Sequence, residues 1–292
     1  MTGSTGLIGR QVEQQLSSSC EVVRLGRRAS ADIQCDLSDV SALSLVELPP
    51  IDALVHCAGV VDEDFRDAPD RAVRMAWAGA DALVRLATKA GAQRLVYVSS
   101  AHVYGPMIGR SDETRPVDPV SDYAIAHFVT EQVFRRAATA GIGVLVLRPC
   151  AVFGQLDSPS EFRRWSLIPF SFPRDAILKG EIVIRSSGEQ RRNFVGTIDI
   201  AYAIGTWLAQ HSSGFSVRNP VGAFSASVYE FALLCSRVAT SISGRPAVVT
   251  RVESTGPTPG DDFEYCSAYS AGAPMQSITD CLRHLMLTLS GA

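Results

Sequence analysis

The sequence of 292 residues lacks the features that mark membrane, secreted and nucleic-acid-binding proteins. It contains no apolar run of 18 residues, which excludes a transmembrane helix, and it opens without the basic region and apolar core of a signal peptide. Its formal net charge of −3 provides no basic surplus for a nucleic-acid partner. We therefore expect a cytoplasmic protein that acts on a small-molecule substrate.

The cysteines also lack the arrangement of a metal or disulfide site. There are seven of them, an odd number, at wide spacings and without a C-x-x-C pair. The five histidines do not have the spacing of metal ligands either. We expect reduced, mostly buried thiols and no bound metal.

The sequence does contain a glycine-rich segment at its start. Residues 1–9, Met-Thr-Gly-Ser-Thr-Gly-Leu-Ile-Gly, form a G-x-x-G-x-x-G turn, which can bring backbone N–H groups close to a pyrophosphate. Apolar residues at positions 8, 12 and 16 predict a helix after it, and Glu21–Leu25 is typical of a short strand. Such a turn normally follows a buried central strand. The first strand is therefore expected to be absent or truncated, and we hypothesise a misassigned start or a chain trimmed by roughly 5–6 residues.

Strand and helix patterns then alternate up to about residue 150, with long helices over 69–90 and 121–140. Continuous apolar strands between helices predict an α/β fold with a Rossmann-like, doubly wound parallel sheet. We expect a dinucleotide-binding domain over 1–150, to which 196–220 returns, and a smaller substrate-binding lobe over 151–195 and 221–292. Residues 154–175, rich in Ser, Pro and aromatics, predict an irregular insertion that faces the substrate.

Several motifs occur in a fixed order along the chain. They are the glycine turn, Asp36-Leu37, His56-Cys57-Ala58-Gly59, Tyr97-Val98-Ser99-Ser100, Tyr123-Ala124-Ile125-Ala126-His127, Leu147-Arg148-Pro149 and Arg192-Asn193-Phe194-Val195. This set resembles the extended short-chain dehydrogenase/reductase family, the NAD(P)-dependent epimerases and dehydratases, over nearly the whole chain. The resemblance implies a nicotinamide dinucleotide bound by Gly3, Thr5, Gly6, Leu7, Ile8, Gly9, Asp36, Leu37, Ala58, Gly59, Tyr123, His127 and Pro149.

The end of the second predicted strand bears on the choice of cofactor. Proteins that bind NAD place an acidic residue there, which binds the ribose 2′-hydroxyl. This chain has Arg27 and Arg28, whose guanidinium groups suit a 2′-phosphate. We predict NADP(H) as the cofactor; if the two arginines belong only to a solvated loop, NAD is the alternative.

The resemblance assigns the substrate oxygen to Ser100 and Tyr123, with Tyr123 as the acid/base. The family has a lysine four residues after this tyrosine, and here that residue is His127. The spacing keeps His127 on the same helix face, but an ordinary histidine is mostly neutral at pH 7. Ala76 stands where many members have an asparagine that supports a water relay. Either the proton path is altered, with His127 in it, or catalysis is lost and the protein is a dinucleotide-binding sensor.

The residues after Ser100 bear on the reaction. Ala101-His102 replace the Asp-Glu pair of the dehydratase branch, which argues against 4,6-dehydration. His102 is expected to face the pocket. Arg192 matches the arginine that binds the diphosphate in nucleotide-sugar members, and the alternative is a structural arginine paired with Asp199 or another acid. We predict an NADP(H)-dependent ketoreductase for a nucleotide-activated sugar or a similar keto/hydroxy substrate, with an NAD-dependent epimerase as the alternative, and a homodimer through the two long helices.

Overall fold

The computed structural model describes residues 1–156, 158–210, 213–253, 259–269, 272 and 276–291. The strands are β1 Leu25–Gly26, β2 Ile33–Gln34, β3 Ala53–His56, β4 Arg94–Val98, β5 Arg110–Ser111, β6 Gly143–Leu147, β7 Ala151–Phe153, β8 Glu181–Val183, β9 Arg191–Gly196, β10 Phe215–Arg218, β11 Phe224–Ser227, β12 Val248–Thr250 and β13 Glu264–Tyr265. The helices are α1 Leu7–Leu16, α2 Val40–Ser44, α3 Asp62–Asp67, α4 Pro69–Arg74, α5 Ala80–Lys89, α6 Asp122–Ala138, α7 Ile168–Lys179, α8 Thr197–Ala209, α9 Val228–Ser243 and α10 Ile278–Ser290.

A parallel sheet forms the first part of the structure, as predicted. Strands β3, β4, β6 and β10 pair in the order β10-β6-β4-β3, and β1 pairs in parallel with β2. All five residues of β6 are buried, which explains why its sequence is apolar throughout rather than alternating. Helix α8 packs against α1 on one face, while α5 and α6 pack together on the other.

Residues Met1 and Thr2 lie where the first strand of the sheet was expected. The Thr2 N–H donates to the Val55 carbonyl at 2.9 Å, and the Cys57 N–H donates to the Thr2 carbonyl at 3.1 Å. On the other side, the Leu25 N–H donates to the Met1 carbonyl at 2.8 Å. This two-residue link joins β1 to β3 and gives the sheet order expected of a dinucleotide-binding fold. The strands β1 and β2 each have only two residues, shorter than predicted.

A second core lies beyond β6. Strands β7, β9 and β11 form one small sheet, β8 pairs with β12, and helices α7, α9 and α10 pack around Phe172, Phe194 and Phe231. The expectation of an irregular segment over 154–175 is wrong from residue 168 onward, where α7 begins. Pro169 stands in the first turn of α7, where its missing N–H costs nothing, and packing of the apolar side chains stabilises the helix despite weak periodicity.

Three short helical turns depart from α-helix geometry. Between α4 and α5 the helix passes through a π turn over Met75–Gly79, and a 3₁₀ turn over Ala101–Tyr104 follows β4. A second 3₁₀ turn, Pro159–Glu161, precedes α7. Within the part of the chain that the structure describes, no helix is long and apolar enough to cross a membrane.

Candidate active site

The glycine turn requires glycine at two positions for steric reasons. Gly3 has a φ of +73°, and a Cβ atom there would lie 2.6 Å from the Ala58 nitrogen. A Cβ atom on Gly9 would lie 1.9 Å from the Gly3 carbonyl oxygen. The turn therefore packs directly against the end of β3, and Gly6 caps α1, whose N-terminus faces a large cleft. A helix N-terminus with unpaired N–H groups favours an anionic ligand.

The cleft has a volume of about 1800 Å³ and runs between the sheet and the second core. All of the residues assigned from the sequence to cofactor, catalysis or substrate line it, namely Gly3, Thr5, Gly6, Leu7, Ile8, Gly9, Arg27, Arg28, Asp36, Leu37, Ala58, Gly59, Ser100, His102, Tyr123, His127, Pro149 and Arg192. The fold thus brings together residues that are up to 189 positions apart, from Gly3 to Arg192.

At one end of the cleft, the Asp36 carboxylate accepts hydrogen bonds from the Ser38 N–H at 2.9 Å and from the Ser38 hydroxyl at 2.8 Å. Arg71 of α4 forms an ion pair with the same carboxylate at 3.0 Å. Partial burial opposes ionisation, but these bonds together lower the pKa of Asp36. Arg71 was not identified from the sequence, because its partner lies 35 residues away.

The two arginines predicted to read a 2′-phosphate have different surroundings. Arg28 forms an ion pair with Glu161 at 3.0 Å, and Arg10 of α1 approaches the same carboxylate at 3.5 Å. Arg27 is exposed, and within the described part of the chain its guanidinium has no ion pair. A carboxylate therefore already neutralises one of the two charges that would attract a phosphate.

Ser100 and Tyr123 approach the cleft from two elements. Ser100 follows β4, is buried, and caps the 3₁₀ turn by accepting from the His102 N–H at 3.3 Å. Tyr123 stands in the first turn of α6, whose N-cap is Ser121. Burial raises the pKa of Tyr123, and the Ser100 hydroxyl partly offsets this by hydrogen bonding to it.

His127 lies on the same face of α6 as Tyr123, with 4.5 Å between the two ring centroids. Its Nδ1 shares a 2.6 Å hydrogen bond with the Tyr97 hydroxyl of β4. Its Nε2 is buried without a hydrogen-bond partner in the described structure and faces Gly59. Burial, and then the nearby Arg164, lower the pKa of His127 to about 3. The imidazole is therefore neutral at physiological pH and cannot supply the fixed charge of a lysine.

The π turn contains Ala76, the position at which many family members have an asparagine. The Ala76 carbonyl accepts a 2.7 Å hydrogen bond from the Thr130 hydroxyl of α6. A Cβ atom on Gly79 would lie 2.0 Å from the Leu37 carbonyl oxygen, so this helix packs directly on the loop that carries Asp36. With alanine at position 76, the polar side chain that contacts the π turn here is Thr130 of α6, through its hydroxyl.

A buried ion pair that the sequence did not reveal lies behind the predicted catalytic residues. Glu131, one turn after His127, accepts from Arg148 at 2.7 and 3.0 Å in a bidentate arrangement. The Ser99 hydroxyl also donates to Glu131, at 2.6 Å. These contacts fix the end of β4, and hence Ser100, against α6. Two features of the sequence could have indicated this ion pair. Glu131 lies four residues after His127, and Arg148 directly follows an apolar strand.

Arg192 and His102 lie toward the substrate end. Arg192 of β9 does not pair with Asp199, whose carboxylate instead accepts from the Gly196 N–H at 3.2 Å and the Gln276 N–H at 3.1 Å. The alternative of a structural Arg192–Asp199 pair is therefore wrong. His102 is exposed to the cleft, and its ring is edge-on to Tyr123 with 5.7 Å between centroids.

The segment over residues 158–167, which we call the strap, covers one side of the cleft. Its ring contacts include Phe162 with Phe170 at 4.5 Å, and this cluster also includes Leu7 of the glycine turn. The strap carries Glu161, described above, and Arg164, which approaches the start of α3. It therefore contacts Arg28, in the loop after β1, as well as the start of α3.

Comparison with known proteins agrees with this architecture. A model of the NAD dependent epimerase/dehydratase family matches residues 1–222. A dTDP-D-glucose 4,6-dehydratase from Mus musculus is 25% identical over 239 residues, which cover 80% of this chain and 65% of the mouse protein. The chain thus spans slightly less than two thirds of that relative.

Solved structures share the fold. The UDP-glucose 4-epimerase of Thermotoga maritima, determined with UDP-glucose, has a TM-score of 0.78 at 21% identity, covering 99% of this chain and 97% of the other. RMD from Pseudomonas aeruginosa, determined with NADPH, has a TM-score of 0.75 at 19% identity, covering 99% and 97%. Structures with this fold have thus been determined with a nucleotide sugar and with NADPH.

Proposed function

The chain belongs to the NAD dependent epimerase/dehydratase family, and from this premise we propose that it is a hydride-transferring enzyme that uses NADP(H). We propose a ketoreductase whose substrate is a nucleotide-activated sugar or a similar keto/hydroxy compound. The observation that carries the proposal is the convergence of Ser100, Tyr123 and the glycine turn on one cleft.

Two features of the cleft fit a nicotinamide dinucleotide. The glycine turn packs closely because side chains at Gly3 and Gly9 would collide with neighbouring backbone, and this packing holds the N-terminus of α1 toward the cleft, where a pyrophosphate would bind. The buried Nε2 of His127 lacks a protein partner among the described residues, and a ribose hydroxyl would satisfy it. Asp36, Leu37, Ala58, Gly59 and Pro149 would complete the site. When bound, the cofactor supplies or accepts a hydride at its nicotinamide ring.

The protein residues act on the substrate oxygen. Tyr123 donates a proton to a carbonyl oxygen that is being reduced, or takes one from a hydroxyl that is being oxidised. Ser100 hydrogen-bonds the same oxygen and orients it. His127 holds its position through Tyr97 and presents Nε2 to the cofactor side. The neutral histidine thus keeps the binding role of the lysine and gives up its charge.

Arg192 and His102 give the proposed substrate its orientation. Burial lowers the pKa of Arg192, but the guanidinium stays charged and suits a diphosphate. A 4,6-dehydration needs an acid and a base next to Ser100 for elimination, and Ala101 and His102 occupy those places. This favours simple hydride transfer over dehydration, although a curated relative is named as a dehydratase.

Two alternative functions have specific observations in their favour. The Glu161 carboxylate on Arg28 favours NAD over NADP, and with it a sugar epimerase that retains its cofactor. The neutral His127 favours a catalytically degenerate dinucleotide-binding sensor. Retention of the cofactor through purification indicates the epimerase, exchangeable NADPH indicates the reductase, and binding without turnover indicates the sensor.

The test combines binding with turnover. Nicotinamide fluorescence is followed as the purified protein is titrated with NADPH and NADH, and a panel of nucleotide-diphosphate sugars and simpler ketones is then assayed. We expect tighter binding of NADPH, and turnover that Tyr123→Phe reduces by about 10² or more while leaving NADPH binding intact. Tyr202→Phe, on α8, is the matched control. Absence of binding for both cofactors would refute the proposal.

We further propose a homodimer through α4, the π turn, α5 and α6. The side chains of Val73, Trp77 and Ile125 are exposed on these helices. An apolar recess of about 470 Å³ lies between them, lined by Trp77, Phe128, Val129 and Val133 among others. An exposed apolar face of this kind is typical of a surface that a partner covers, and a second copy supplies a matching face.

A further inference from the structure

The strap brings one arginine to the part of the cleft that holds Tyr123. Arg164 lines the same cavity as Tyr123 and His127, and its side chain is only 28% exposed. The acidic groups nearest to it lie at the start of α3, with Asp62 at 3.7 Å and Glu63 at 3.9 Å. Both distances exceed that of a hydrogen bond, and the buried Nε of Arg164 has no hydrogen-bond partner in the described structure.

Several ionisable groups act on Tyr123 from different elements. The rings of His102, in the 3₁₀ turn, and of His127, in α6, contact its ring. Tyr97 of β4, Asp62 of α3 and Arg164 of the strap influence it electrostatically. Desolvation by the surrounding protein lowers the pKa of both histidines, of buried His127 and of His102, whose ring is open to the cleft, so neither provides a positive charge at neutral pH. Among these groups of the described chain, Arg164 is the cation.

The effects of these groups on Tyr123 have opposite signs. Burial raises the pKa of Tyr123, the Ser100 hydroxyl and Arg164 lower it, and Asp62 raises it. A cation next to a phenol favours the phenolate because it offsets the loss of solvation on burial. In the family that the chain resembles, the lysine four residues after the tyrosine has this role, and here that position holds a neutral imidazole.

We propose that Arg164 is a positioning residue that stabilises the phenolate of Tyr123, and that it supplies from the strap the positive charge that His127 cannot. This inference rests on the proposed function, since it assumes that Tyr123 exchanges a proton with the substrate. In the family pattern one lysine provides both the positive charge and the contact with the ribose. Here Arg164 provides the charge and His127 the ribose contact.

A charge that comes from the strap links catalysis to the position of the strap. The Ser166 hydroxyl donates to Glu63 at 3.2 Å, and the Phe162 and Trp165 rings pack edge-on with 5.2 Å between centroids. These contacts hold Arg164 over α3. The positive charge next to Tyr123 therefore depends on the contacts that hold the strap in this position.

The test follows the ionisation of Tyr123 directly, by NMR of protein labelled with ¹³Cζ-tyrosine, and Tyr123→Phe identifies the resonance. We expect Arg164→Gln to raise the midpoint of Tyr123 by about one pH unit, and Arg164→Lys to restore most of the shift. Asp62→Asn should lower the midpoint, by less, because Asp62 is more exposed. Arg163→Gln removes an equal charge from an exposed position of the strap and should leave the midpoint unchanged.

The outcomes separate this inference from the proposed function. If Arg164→Gln and the unmodified protein titrate alike, or if Tyr123 does not ionise by about pH 11, the inference is wrong even where NADPH binds. If neither NADPH nor NADH binds the unmodified protein, the proposed function fails instead. Should Arg164→Gln not fold, Arg164→Met decides, because a raised midpoint supports the inference and an unchanged one refutes it.

Discussion

The hydroxyl of Tyr97 lies 2.6 Å from Nδ1 of His127 and ties the imidazole to the central sheet. The Tyr97 ring also stacks with His56, at 5.4 Å between centroids, so two buried histidines flank one tyrosine. All three rings of this stack can be neutral, and none of them carries a negative charge that would stabilise an imidazolium. The substitution of the family's lysine by histidine is therefore accompanied by a polar network that suits the neutral form.

The buried histidines predict a loss of stability in acid. Burial lowers the pKa of both His56 and His127 to about 3, whereas an unfolded histidine titrates near 6.5. At pH values between about 3 and 6.5, these two histidines are protonated in the unfolded chain and neutral in the folded one. The stabilising contribution is therefore complete above pH 6.5 and falls on acidification, by about 1.4 kcal/mol per pH unit for each histidine.

Urea unfolding between about pH 5 and 7.5 measures this dependence. His127→Gln should reduce the slope of unfolding free energy against pH by about one proton. His284→Gln, at an exposed position of α10, should not change it. A slope that is the same in His127→Gln and the unmodified protein would contradict the burial of a neutral imidazole.

The ion pair between Glu131 and Arg148 predicts a strong dependence of stability on either partner. Glu131 is fully buried and Arg148 nearly so. Glu131→Gln leaves a buried guanidinium without its counterion, and we expect a loss of about 3–5 kcal/mol in the free energy of unfolding. Arg136→Met, which breaks an exposed ion pair of the same helix, should cost less than about 1 kcal/mol. Equal losses in the two variants would show that the Glu131 pair is solvated.

The sequence predicted the parts of this structure that local patterns determine. Strands and helices alternate as predicted, and the long helix α6, Asp122–Ala138, lies within two residues of its predicted bounds of 121–140. The glycine turn, Ser100 and Tyr123 line the cleft as the family resemblance implied.

The parts that could not be predicted depend on contacts between distant residues. Glu131 and Arg148 form an ion pair through the meeting of a helix and a strand, and Arg71 reaches Asp36 across 35 positions. Helix α7 has weak periodicity and contains Pro173, so only its packing against α9 and α10 makes it stable. The approach of Arg164 to Tyr123 likewise depends on how the strap folds back, which no local spacing encodes.

The Glu161 contact predicts how the cofactor preference can be changed. Because Glu161 neutralises Arg28, Glu161→Gln should strengthen NADPH binding, by about threefold to tenfold, and leave NADH binding unchanged. Arg27→Ala should weaken NADPH binding by about tenfold with no effect on NADH. Fluorescence titration measures both affinities, with Arg66→Ala, at an exposed position of α3, as the control. If NADH binds as tightly as NADPH and none of these variants alters the ratio, the two arginines do not read a 2′-phosphate.

The apolar face around Trp77 predicts that one substitution will separate the subunits. Trp77 is 58% exposed in the single chain, and a second copy that covers this face would bury it. Trp77→Glu places a charge in that interface, and desolvating it costs more than the contact returns, so we expect a monomer in size-exclusion chromatography with light scattering. Leu178→Glu adds the same charge at a position of α7 that is 56% exposed and belongs to the second core, where α7 packs against α9 and α10, and it should leave the dimer intact. A monomeric unmodified protein, or dissociation by both variants alike, would show that α5 and α6 do not form the interface.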